Sequence, residues 1–155
     1  MRKVIFLLII ILSLPNTLWA ADPIIGIWEL NIAESKMSPL FPSIKSQREV
    51  YEELDSRQIK MTLTRTLSDG KIEVSTGVWP SQGGIIEGGS LEGELLVETL
   101  VAPGEWYVTR MRDGIQYGLM HKVVSKDGKT YRLRYLGLND EGMLVEMGVT
   151  VFDRK

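Results

Sequence analysis

The sequence predicts an all-β fold, an antiparallel up-and-down barrel of about 8–10 strands following an N-terminal signal peptide, and three observations carry that prediction. Apolar and polar residues alternate with a period of two from residue 47 onward. Xaa-Gly turn pairs separate the runs, and no stretch between them has room for a crossover helix.

The chain opens with Arg2 and Lys3, continues through VIFLLIIIL, breaks at Pro15 and Asn16, and reaches Ala20 and Ala21. That is the layout of a secretory signal, with cleavage expected after Ala20 or one residue later. The apolar run is shorter than the roughly 20 residues a spanning helix needs. Residues 1–20 are therefore assigned to a signal peptide and 21–155 to a single domain.

Without Arg2 and Lys3 the balance is 16 basic against 20 acidic side chains, a net charge near −4, which argues against nucleic acid or an anionic membrane surface as a partner. The chain has no cysteine, which removes disulfides, a thiol nucleophile and a thiolate metal site. An exported protein without cysteines fits a bacterial periplasm or secretion into the medium.

IIGIWEL reads as the first strand. Residues 31–46 follow, where Pro39 and Pro42 allow at most one helical turn over Ala33 to Lys36. Met37, Leu40, Phe41 and Ile44 in this connection should fold back over apolar surface, making it a candidate lid. Ile59, Met61 and Leu63 then alternate with polar neighbours, as do Ile72, Val74, Thr76 and Val78. Tyr131, Leu133 and Tyr135, then Met143 through Val151, repeat the pattern. Asp69-Gly70, Asp113-Gly114, Asp127-Gly128 and Glu141-Gly142 mark the turns, and Gly83 to Gly93 should bend a strand at a barrel corner.

Gly26-Ile27-Trp28 at the head of the first strand, the longer DPIIGIWELNIAESKMSP stretch, VVSKDGKT and the terminal VFDRK together resemble the lipocalin-like, calycin-type domains exported by bacteria. The resemblance covers the whole mature chain, although true lipocalins are longer and carry disulfides. It implies a barrel open at one end, with Gly26 and Trp28 structural at the closed end and an arginine, one of Arg132, Arg134 and Arg154, lying across the indole. It also implies a small, largely apolar ligand.

Trp106, Arg110, Tyr117, His121 and Tyr135 are the expected wall of the ligand cavity, alongside an aromatic and methionine-rich set that includes Trp79, Tyr107 and Tyr131. His121, the single histidine, shares strand parity with Ile115, Tyr117, Leu119 and Val123, which places it on the inward face. No second histidine or cysteine joins it, so neither a metal nor another cofactor is expected. Arg110 and Glu52 each alternate with apolar residues and could pair inside the barrel, whereas Glu49, Glu52, Glu53 and Asp55 together read as a solvated strand edge.

The leading expectation is an exported binding protein that sequesters or carries a small apolar ligand. A cavity enzyme of isomerase or cyclase type, using His121 or Glu52 as acid or base, is the alternative, and a filled barrel acting through its surface as an inhibitor or envelope assembly factor is another. Glu98, Arg112 and Lys122 are read as breaking the outward apolar band that an outer-membrane barrel would need. Oligomeric state leaves no mark in the sequence.

Overall fold

The computed structural model describes residues 22–39, 41–54, 57–88 and 94–155; the expected signal peptide lies outside them. Twelve strands run through the described residues: β1 (Gly26–Leu30), β2 (Lys36–Met37), β3 (Ile44–Leu54), β4 (Gln58–Leu67), β5 (Ile72–Pro80), β6 (Gly83–Ile85), β7 (Glu87–Gly88), β8 (Glu94–Ala102), β9 (Glu105–Arg112), β10 (Ile115–Val124), β11 (Thr130–Leu138) and β12 (Leu144–Arg154). Every pairing is antiparallel. β1 joins β12 to β3, and the short segment β6–β7 reaches β8 on one side and β5 on the other, so the sheet curls into a nearly closed barrel. Closure shields backbone groups that an open edge would leave unpaired.

The four expected turns form where the Xaa-Gly pairs stand, with Gly70, Gly114, Gly128 and Gly142 all at positive φ. At the β9–β10 hairpin Asp113 is also left-handed, at φ 51°, as a two-residue turn matched to strand twist requires. Residues 32–34 turn without forming a helix. Asn31 Oδ1 accepts the Glu34 N–H and Ser35 Oγ donates to the Asn31 carbonyl, which satisfies the chain locally before Lys36 and Met37 join β12. Among the described residues no helix is long and apolar enough to cross a membrane.

One barrel end is closed. Trp28 is fully buried there and donates its indole N–H to the Ile24 carbonyl at 2.7 Å. Of the three candidate arginines, Arg154 lies across the ring, its guanidinium carbon 4.2 Å from the centroid. Arg154 also donates to the carbonyls of Ile25, Gly128 and Pro23, tying the last strand and the segment before β1 to the β10–β11 turn. A Cβ on Gly26 would sit 2.6 Å from Arg154 Nη1, which explains why glycine precedes the tryptophan.

The middle of the barrel is filled. Tyr131 stacks on Phe152 and meets Trp28 edge-on, while Tyr51 meets Trp79 and Tyr131 edge-on. Two buried polar clusters interrupt this apolar mass. Glu49 accepts from Gln47 at 2.6 Å, Tyr51 at 2.9 Å and Tyr131. Lys122 Nζ lies 2.8 Å from Glu98, whose other oxygen accepts the Trp79 indole N–H.

These clusters correct two expectations. Glu49 belongs to the core, not to a solvated edge, because β3 turns Gln47, Glu49 and Tyr51 inward together. Glu98 and Lys122 likewise face inward and break no outward apolar band; the outer wall carries the Glu52–Lys60 and Arg134–Glu146 pairs instead.

Candidate functional site

The end opposite Trp28 is the barrel mouth, ringed by the β4–β5, β9–β10 and β11–β12 turns and crossed by the segment between β1 and β3. Arg110, Tyr117 and Tyr135 meet here, as three of the five expected wall residues. β9 turns Arg110 inward on the face it shares with Trp106 and Val108. A bulge at Gln116–Gly118 inserts Tyr117 as an extra residue in β10, so its ring lies against Arg110 at 4.9 Å and Arg112 at 5.1 Å.

Glu94 at the start of β8 holds the group together. Its Oε1 accepts from Arg110 Nε at 2.8 Å and from the Tyr117 hydroxyl, and its side chain is only 4% exposed. Burial, then the bond to Glu94, raises the Tyr117 phenol above its ordinary range. Tyr135 lies deeper, its hydroxyl pushed up to about 12 chiefly by burial, so both phenols are neutral hydrogen-bonding groups near neutral pH.

Phe41 wedges into the mouth from the β2–β3 connection, its ring 5.4 Å from that of Tyr135. The expectation that this connection folds back over apolar surface is met by that contact. A cavity of about 130 Å³ lies on one side of Phe41, against Arg110, Tyr117, Met120, Tyr135 and Met147. On its other side lies one of about 320 Å³, against Leu30, Met37, Ile44 and Thr150. Phe41 is thus the shared wall of two compartments.

The remaining expected residues lie elsewhere. Trp106 is buried toward the closed end. His121 is on the outer wall, stacked on Tyr107 at 4.5 Å, with Nε2 2.8 Å from Glu105 Oε1. The bulge explains this correction: one extra residue reverses the facing of everything after it, so Lys122 takes the inward position. Glu52 also points outward, to Lys60 at 3.5 Å, so Arg110 pairs with Glu94 instead of Glu52. Asp55 lies outside the described residues. Glu94 and Phe41, central to the mouth, carry no motif that marks them in the sequence.

Among the described residues no group of three or more histidine or acidic side chains is arranged to hold a metal. No protein-family model and no curated protein matches the sequence. Solved structures do match in fold. The fluorescent protein UnaG superposes with a TM-score of 0.61 at 8% sequence identity, over 88% of this chain and 99% of that one. A mutant of UnaG gives 0.60, also at 8%, over 88% and 98%. At this identity the likeness establishes the barrel fold, in accord with the calycin-type architecture read from Gly26, Trp28 and the strand pattern.

Proposed function

We propose that this chain is an exported binding protein that holds one small amphipathic molecule in the mouth of its barrel. The position of Phe41 between two mouth cavities carries the reading. Displacing that one ring joins compartments of about 130 and 320 Å³ into a volume within the usual size of small-molecule sites. The joined space has an apolar body, supplied by Met120, Met147, Leu30 and Ile44, and a polar end at Arg110 and Tyr117.

A guanidinium has five N–H donors, and Glu94 engages Nε and one terminal nitrogen, which leaves donors for an acceptor on the ligand. A ligand with an oxygen-bearing head and an apolar body therefore fits better than a wholly apolar one. The filled barrel middle supports a compact ligand lodged at the rim over a long one running along the axis. His121 and Glu52 stand apart from this space, so the geometry supports binding over acid–base catalysis by either. Arg2, Lys3 and the apolar run after them support export to the periplasm or the medium.

Native mass spectrometry of mature protein purified without detergent, followed by organic extraction of what travels with it, tests this reading. A stoichiometric adduct that Arg110→Gln loses is the expected result. A bare mass, with no uptake from a panel of fatty and aromatic acids and alcohols, would overturn it.

A further inference from the structure

The closed end holds a second cavity, of about 370 Å³, separate from the mouth. Three of its lining side chains bear on what it takes. Asp22 and Glu53 supply carboxylates from the segment before β1 and from the end of β3. Trp106, 1% exposed, contributes its indole from β9. Leu100 and Pro103 make the apolar part of the wall, and Arg57 adds one cation to it.

The three buried tryptophans differ at their N–H groups. Trp28 donates to Ile24 and Trp79 to Glu98, but the Trp106 indole N–H has no hydrogen-bond partner among the described residues. Buried indole N–H groups normally find an acceptor. Glu98 is already engaged by Lys122 and Trp79. Asp22 accepts the Ile24 N–H; burial first, then the like charges of Glu98 and Glu53, work against its ionisation, while the Ile24 bond and Lys122 favour it. An arriving cation would relieve that repulsion.

We propose that the closed-end cavity is a second ligand site, taking a small organic ammonium that also carries a flat apolar part and a hydrogen-bond acceptor. The ammonium would sit between Asp22 and Glu53, the flat part against Leu100 and Pro103, and the acceptor would meet the Trp106 N–H. The site is independent of the mouth, since it shares no lining residue with either mouth cavity.

Tyramine, which combines an ammonium, a ring and a phenol oxygen, is the probe, and 4-hydroxyphenylacetate, with a carboxylate in place of the ammonium, is its control. In the mature protein labelled with ¹⁵N, the expected result is a saturable shift of the Trp106 indole resonance with tyramine and none with the control. Glu53→Gln should weaken binding about tenfold, the loss of one charge-assisted contact of about 1.4 kcal/mol. Glu52→Gln, the same change one residue away on the outer wall, should leave it unaltered. An unmoved Trp106 resonance at millimolar tyramine, equal binding of the carboxylate control, or equal effects of Glu52→Gln and Glu53→Gln would each overturn the proposal.

Discussion

The guanidinium of Arg154 lies 4.2 Å above the Trp28 ring while donating to three backbone carbonyls, so one side chain joins the last strand, the first strand and a turn between them. Lysine would keep the charge but lose the planar fork that reaches several acceptors at once. Arg154→Lys is expected to cost about 2 kcal/mol, read from urea unfolding. Gly26→Ala, whose Cβ would strike the same guanidinium at a backbone φ of 139°, should cost a similar amount.

Lys122 and Glu98 are both almost fully buried and bonded at 2.8 Å. Removing either partner strands the other, so Lys122→Met or Glu98→Gln alone should destabilise by about 3–5 kcal/mol. The double variant should lose less than the sum, because it leaves neither buried charge without its partner. Additive losses in a double-mutant cycle would refute the coupling.

Tyr51 and Tyr131 both donate to Glu49, and burial, reinforced by that carboxylate, raises both phenols well above their ordinary range. Their folded forms hold the proton more tightly than the unfolded chain does. This contribution is complete below the unfolded value near 10 and is lost as pH rises through the folded values. Unfolding monitored against alkaline pH should therefore show a loss of stability beginning near pH 10, and Tyr131→Phe should flatten part of that slope.

Asp22 has the same sign of effect, displaced toward acid pH. Its carboxyl is raised, chiefly by burial, so the stability it contributes is complete below the unfolded value near 4 and declines as pH rises through the folded one. Asparagine keeps an oxygen for the Ile24 N–H. Asp22→Asn should therefore leave the Tm at pH 7 unchanged or higher, while a fall of several degrees would show that the ionised form is stabilising.

His121→Gln tests the separation of the outer wall from the mouth. The substitution removes a partly exposed contact with Glu105, worth less than about 1 kcal/mol, and should leave ligand occupancy at Arg110 and Tyr117 as it was. A matching loss of adduct would refute that separation.

The antiparallel barrel was legible because alternation and Xaa-Gly turns are local signals. The closed end was legible because Gly26 and Trp28 stand one residue apart in a short local motif, and the arginine across the indole could be narrowed to three. Alternation likewise put Arg110 and Tyr135 on the inward faces of their strands, whereas Tyr117 reaches the mouth through the bulge. The facing of His121 and Lys122 was hidden by a single inserted residue that changes no composition. Gly118 was the faint trace of it, since a Cβ there would come within 3.2 Å of the Leu136 carbonyl. Glu49 and Glu98 were misread because a carboxylate's burial depends on donors brought from distant strands, Tyr131 for one and Trp79 and Lys122 for the other.

The buried aromatic and ionic residues at the waist divide the barrel interior into a mouth compartment and a closed-end compartment. The mouth cavities beside Phe41 and the closed-end cavity beside Trp106 are separate spaces with separate linings. If both proposed sites hold, a substitution that alters binding at one rim should leave the other as it was, since the two share no lining residue.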